Sequence, residues 1–244
     1  MGECVARRSL SSERRAVLFD ATGTLIELAE PVGETYARTA LRHGVVISAW
    51  RIGDAFTRVW RSAPPMVYPG QSPEAAAARE RGAWREIVRQ TFLAADSAVR
   101  PDDIDACFEE LFADFAHGAA WRVRDGAPDA LRALRDAGLA VAVVSNFDRR
   151  LPGILADLAL APLLDLVWLP SDAGAAKPDP AIFASAVGAL GVTPAQAVFV
   201  GDDAQRDLAG ARAAGLRAVD VTSLATLAAL PALLECPPPK EPPR

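Results

Sequence analysis

The sequence predicts an α/β fold: a doubly wound parallel sheet interrupted after its first strand by an all-helical insert. Three observations carry this reading. Short apolar runs end abruptly at polar residues, and segments of helical period lie between them. One long stretch, residues 29–118, breaks that alternation with helices alone. Short continuous apolar runs suit strands covered on both faces, which parallel sheets require.

The first run, Ala16-Val17-Leu18-Phe19, stops at Asp20. The insert then reads as helices over 32–43, 50–61, 73–95 and 104–117, with apolar residues at helical spacing, as in Trp84, Ile87, Val88 and Phe92. Trp50, Trp60 and Trp84 are expected in the core of this module. The loop over 62–72 carries Met66, Tyr68 and Gln71, candidates for ligand contact because loops of this kind face solvent.

After the insert the alternation resumes. A helix over 128–137 has Leu131 and Leu134 on one face, Pro128 at its start and Gly138 as its stop. The second apolar run, 139–144, ends at Ser145-Asn146, and the third, 163–169, leads through Ser171-Asp172 to Lys177. A helix over 180–190 ends at Gly191. The fourth run, 197–200, ends at Gly201-Asp202-Asp203; a small-residue helix over 207–214 and a last run, 217–221, follow. The predicted organisation is a tail at 1–15, a core of 16–28 and 119–230, a helical module at 29–118 and a Pro-rich tail at 231–244.

Composition narrows the function classes. Half of the 244 residues are apolar (51%), enough for a substantial core. A net charge of −5 argues against nucleic acid as the partner, because phosphate-backbone binding needs a clustered basic surface. No apolar stretch reaches the length of a membrane span, and residues 1–15 lack the apolar segment of a leader. Cys4, Cys107 and Cys236 are too scattered for a metal site or a disulfide framework, which suits a reducing, cytoplasmic setting. Lys177 and Lys240 are the only lysines in an otherwise arginine-based chain. A compact ammonium at Lys177, in a Gly/Ala/Pro-rich loop, does what a planar guanidinium cannot.

Ligands of open parallel sheets bind at the carboxyl ends of the strands. Here those ends supply Asp20, Ser145-Asn146, Lys177 and Asp202-Asp203, with Asp207 opening the next helix. Carboxylates gathered at one edge repel unless a cation sits among them, and Mg²⁺, a hard ion that prefers oxygen ligands, suits the set. Ser145 and Lys177 add a hydroxyl donor and a positive charge, as an anionic group such as phosphate requires. Asp125, Asp129, Asp136 and Asp148 read as caps or surface charges, and His43 and His117 as helix-end residues.

These residues resemble the four motifs of the haloacid dehalogenase (HAD) superfamily. Asp20-Ala21-Thr22-Gly23-Thr24 looks like the nucleophile motif, Ser145 matches the second, Lys177-Pro178-Asp179-Pro180 the third, and Gly201-Asp202-Asp203 with Asp207 the fourth. The segment 30–36 and the stretch 84–92 are similar to the branch of the fly rhythmically expressed gene 2 product. The resemblance implies a HAD-like Rossmannoid core with a helical C1 cap. It also implies a hydrolase of a small phosphorylated metabolite in which Asp20 becomes an aspartyl phosphate. In that scheme Asp20, Asp202 and the Thr22 carbonyl hold Mg²⁺, with Asp203 or Asp207 completing the set. Ser145 and Asn146 belong to the phosphate-binding loop, and Lys177 neutralises the nucleophile and the transferring group.

The sequence departs from the family's phosphatases at Thr22, where they carry a second Asp that protonates the leaving group. Missing general acid–base catalysis costs about 10²–10⁴-fold. That leaves three readings: a phosphatase acting on monoesters or acyl phosphates, a 2-haloacid dehalogenase, or a non-catalytic binding protein on the same scaffold. Retention of Asp202, Asp203 and Asp207 favours Mg²⁺ and phosphoryl chemistry, since dehalogenases of this type need no metal. The chain does not reveal its oligomeric state.

Overall fold

The structure, a computed structural model, describes residues 16–234; the expected tail at 1–15, with Cys4, and residues 235–244, with Cys236 and Lys240, lie outside the described residues. Strands β1 (Ala16–Phe19), β2 (Ile26–Leu28), β3 (Trp121–Val123), β4 (Ala140–Val144), β5 (Leu166–Trp168), β6 (Ala197–Gly201) and β7 (Arg217–Asp220) make two sheets. The larger is parallel throughout, in the order β5-β4-β1-β6-β7. Strand β1 lies in its centre, with Ala16 level with both Ala140 and Ala197. The four β1 residues are inaccessible, and their side chains alternate between two cores. Val17 and Phe19 enter one with Leu131 and Leu134; Ala16 and Leu18 enter the other with Phe183 and Phe199.

The insert is the expected helical module: α1 (Val32–Arg42), α2 (Ala49–Ser62), α3 (Pro73–Ala95) and α4 (Pro101–Asp114). It has its own core, in which Tyr36, Ile52, Phe92 and Phe108 are buried. Trp50 and Trp60 are corrections: Trp50 is 74% exposed and Trp60 37% exposed, outside the module's core, because the helix α2 positions buried there are Ile52 and Ala55. The β2–β3 ribbon, where the chain leaves and re-enters the core, pairs antiparallel with Leu28 opposite Trp121. Its strands are three residues each, too short to leave a period in the sequence.

The remaining helices are α5 (Ala127–Asp136), α6 (Leu151–Asp157), α7 (Pro170–Ala173), α8 (Pro180–Ala189), α9 (Gly210–Ala213) and α10 (Leu230–Leu233). The segment expected as one helix over 207–214 is a π-helical turn, Ala204–Ala209, running into α9. The chain is still folded at α10, where Leu230 and Leu234 join the core. Among the described residues no helix is long and apolar enough to cross a membrane.

Candidate active site

The carboxyl edge of the sheet gathers the residues that the sequence singled out. Asp20 follows β1, and its N–H donates to the Val200 carbonyl of β6 at 2.9 Å, so its backbone is tied to the sheet. The next residues turn tightly: the N–H groups of Leu25 and Ile26 both donate to the Ala21 carbonyl, at 2.8 and 3.0 Å. Gly23 sits at φ +89°, and a Cβ there would fall 2.4 Å from Asp202 Oδ2. Only glycine gives both the left-handed backbone and the close approach of this turn to Asp202.

Lys177 stands between two carboxylates. Its Nζ donates to Asp20 Oδ1 at 2.5 Å and to Asp207 Oδ1 at 2.6 Å, and all three side chains are at most 10% exposed. Asp207 is fixed on its other oxygen, which accepts from the Asp202 and Asp203 N–H groups at 3.2 and 3.1 Å. The Asn146 amide clasps the Lys177 backbone: Oδ1 accepts from its N–H at 2.7 Å and Nδ2 donates to its carbonyl at 2.8 Å. The amide thus supplies the pairing that a loop after a strand would otherwise lack.

Burial pushes the Asp20 carboxyl up to about 6, assisted by Asp207 and Asp202 and opposed by Lys177. Burial also pulls the Lys177 ammonium down, but Asp20 and Asp207 outweigh it and hold the group above the usual lysine value. Partial burial raises Asp202, with Asp207 next in effect. One carboxylate oxygen from each of Asp20, Asp202 and Asp207 lies within 4.8 Å of the others. Such an all-oxygen set fits a hard divalent cation, which would relieve the repulsion expressed in these shifts.

Asp203 is differently engaged. It caps the π-helical turn, accepting from the Gln205 and Arg206 N–H groups, and pairs with the Arg206 guanidinium at 2.8 Å. Burial opposes its ionisation, but these donors prevail and hold its carboxyl below the usual range. Thr22 is exposed on the same cavity that Asp20 faces, and Ser145 lines it while only 4% exposed.

That cavity, of about 280 Å³, lies between the sheet edge and the helical module. Its floor is the polar cluster, and much of its wall is aromatic. From the insert come Tyr36, Phe56, Trp60, Trp84 and Phe115; Trp121 and Phe147 come from the core side. Met66, Tyr68 and Gln71 do not line it.

Sequence reasoning missed Asp148 and Arg150. Asp148 is not a surface charge: it is 5% exposed, accepts from Trp84 Nε1 at 2.5 Å and pairs with Arg150 at 2.6 Å. The Arg150 guanidinium lies over the Phe112 and Trp84 rings, 4.2 and 5.0 Å from their centroids. Their position directly behind Ser145-Asn146 was the available signal. His43 and His117 face Glu110 and Asp157, away from the cavity.

Comparison with known proteins agrees with this arrangement. The family description "haloacid dehalogenase-like hydrolase" matches residues 14–215. The bovine haloacid dehalogenase-like hydrolase domain-containing protein 3 is 38% identical over 206 residues, covering 83% of this chain and 79% of its own. The rhythmically expressed gene 2 protein of Drosophila melanogaster is 26% identical over 216 residues, covering 85% and 82%. In structure, the chain is similar to a HAD phosphatase from Thermococcus onnurineus, with a TM-score of 0.60 at 23% identity, over 91% of this chain and 98% of that one. Together with the strand order, the helical insert and the Asp20–Lys177–Asp207 cluster, the match over most of its length places this chain in the haloacid dehalogenase-like hydrolases, on the branch of the rhythmically expressed gene 2 protein.

Proposed function

We propose that this hydrolase is a Mg²⁺-dependent phosphatase that acts on a small phosphorylated compound through an aspartyl phosphate at Asp20. The observation that carries the reading is the buried Lys177 ammonium held between Asp20 and Asp207, with Asp202 alongside. A phosphoryl group brings several negative oxygens to the nucleophile, and a fixed cation beside that nucleophile offsets their repulsion without reorganising.

Asp20 attacks phosphorus, the bond to the leaving oxygen breaks, and water then displaces the phosphate from the carboxylate. Lys177 holds Asp20 in place and neutralises charge on both partners. Ser145, at the end of β4, faces the cavity as a donor for a phosphoryl oxygen. Asp20, Asp202 and Asp207, with the Thr22 carbonyl, would hold Mg²⁺, which would draw charge from the phosphoryl oxygens when bound. Asp203 contributes by capping the turn that presents Asp207. Nothing in this set protonates the leaving group, so esters of poorly acidic alcohols turn over slowly and acyl phosphates faster.

Release of phosphate from p-nitrophenyl phosphate and acetyl phosphate, with Mg²⁺ or EDTA and beside Asp20→Asn, tests the reading. Turnover that needs both Mg²⁺ and Asp20 supports it. Turnover that survives Asp20→Asn overturns the covalent route. Silence on both substrates, with halide released from 2-chloropropionate, replaces the phosphatase with a dehalogenase; silence on all three favours a binding protein.

A further inference from the structure

The wall of the cavity closes on itself. Starting at α3, the Trp84 ring stacks on Trp60 at 5.1 Å, and Trp60 stacks on Phe56 at 6.3 Å. Phe56 meets Tyr36 edge-on at 5.6 Å, and Tyr36 meets Phe115 at 6.2 Å. From there the contacts cross to the core: Phe115 to Trp121 at 6.4 Å and Trp121 to Phe147 at 5.4 Å. Arg150 completes the circuit, 5.8 Å from the Phe147 centroid and 5.0 Å from that of Trp84. All of these residues line the one cavity above Asp20.

The charge on this collar is already matched. Arg150 donates to Asp148 through both Nε and Nη2, and its Nη1 reaches the Phe112 carbonyl at 3.4 Å. The Trp84 and Trp121 N–H groups are likewise taken, by Asp148 and by the Phe115 carbonyl. A charged leaving group would be desolvated here with no free opposite charge to meet it, whereas an uncharged ring would meet other rings at favourable aromatic distances. The volume, about 280 Å³, sits near the roughly 300 Å³ lower end of small-molecule sites, so a phosphate and a compact ring system fill it.

We infer that the substrate is a phosphate monoester of an uncharged aryl group, with its phosphate on the Asp20–Lys177 floor and its ring inside the aromatic collar. The inference rests on the phosphatase reading above and narrows it. It also fits Thr22, since a phenol, with a pKa of about 10, departs as its anion far more readily than an alkanol does. As Asp20 Oδ bonds to phosphorus, the phosphorus–oxygen bond to the ring breaks and its electron pair leaves on the phenoxide, which takes a proton from solvent. Water then attacks phosphorus, the Asp20 carboxylate departs, and the proton of that water ends on phosphate or solvent.

Phosphonates test ligand class without turnover. Phenylphosphonate, cyclohexylphosphonate and methylphosphonate are titrated against the Mg²⁺-loaded protein, with tryptophan fluorescence as the readout. Phenylphosphonate is expected to bind at least tenfold more tightly than methylphosphonate and several-fold more tightly than cyclohexylphosphonate. Trp60→Ala, a change at a partly exposed ring, is expected to shrink the phenyl-to-methyl ratio at least threefold. Equal affinity for the phenyl and methyl compounds overturns the inference, and an unchanged ratio in Trp60→Ala overturns its placement in the collar. Because phosphonates are not hydrolysed, ring-selective binding without phosphate release from any ester would leave the ligand class standing and remove the phosphatase reading instead.

Discussion

Asn146 grips the backbone of Lys177 at both its N–H and its carbonyl, at 2.7 and 2.8 Å, across 31 residues of sequence. The strand-end residue that follows Ser145 thus fixes the loop that carries the buried ammonium. Through this clasp the end of β4 and the Lys177 loop act as one unit, and the ammonium meets Asp20 and Asp207 without searching for them.

Asn146→Ala is therefore expected to act on kcat more than on KM. Losing the clasp removes both hydrogen bonds to the Lys177 backbone and costs about 1–3 kcal/mol of stability. Turnover of acetyl phosphate should fall about 10- to 100-fold, because a misplaced Lys177 weakens charge stabilisation in the transition state more than in the ground state. Asn146→Asp should not restore it, since an anion replaces the donor to the Lys177 carbonyl and sits near the carboxylate cluster. Steady-state kinetics on folded variants, verified by circular dichroism, decide the matter; a raised KM with kcat unchanged would assign Asn146 to ligand binding.

Lys177→Arg retains the charge yet should lose at least 10²-fold in turnover. The Lys177 side chain is 3% exposed and its Nζ is bracketed by two carboxylate oxygens at 2.5 and 2.6 Å. A planar guanidinium is wider and rigid, so it cannot occupy that point between Asp20 and Asp207 without moving one of them. Overpacking of this kind costs about 1–3 kcal/mol, measurable as a drop in the denaturation midpoint. Near-normal activity in Lys177→Arg would mean that only net charge matters at this position.

The metal-free protein should become more stable when Asp20 is replaced by Asn. Burial raises the Asp20 carboxyl from the usual 3.8 to about 6, so the folded state favours the neutral acid, which Asn imitates. Well below pH 3.8 the group is protonated folded and unfolded, and the two proteins should melt alike. As pH rises from about 4 to 6 the unfolded chain ionises first and wild-type stability declines. The gap should then hold above pH 6 at a few degrees in Tm, consistent with a shift worth on the order of 1–3 kcal/mol. Thermal melts in EDTA from pH 4 to 8 measure it; a variant less stable than wild type at pH 7 would contradict the sign. Added Mg²⁺ should narrow the gap by stabilising wild type.

Much of this polar cluster is legible in the sequence alone, and the limits have physical causes. Strands β1, β4 and β6 announce themselves as apolar runs because both of their faces are covered, the edge strands β5 and β7 are only partly buried, and the residues that follow the strands carry the polar groups. The β2–β3 ribbon left no trace because three residues define no period. Trp50 misled because bulk and hydrophobicity do not specify a face, and the inward positions of α2 belong to Ile52 and Ala55. Asp148 and Arg150 could be read as surface charges because their burial depends on Trp84, which is distant in sequence and arrives only when the insert folds over the sheet. The aromatic collar was invisible for the same reason: its rings come from three of the four helices of the insert region, the loop after α4, β3 and the loop after β4.

Thr22→Asp should raise turnover of alkyl phosphates about 10- to 100-fold, a conservative share of the 10²–10⁴-fold that positioned general acid–base catalysis supplies. Thr22 is exposed and lines the cavity two residues after Asp20, so a carboxyl group at that position has room within the cavity. The gain should depend on the leaving group: large for an alkanol, whose oxygen needs a proton, and small for p-nitrophenol, which leaves unaided. The new carboxylate also adds negative charge beside Asp20 and Asp202, so the requirement for Mg²⁺ should become stricter rather than looser. A plot of log kcat/KM against leaving-group pKa, for wild type and variant, separates these effects. A steep slope in wild type that flattens in Thr22→Asp is the expected result; parallel lines would mean that proton donation to the leaving group is not what position 22 lacks.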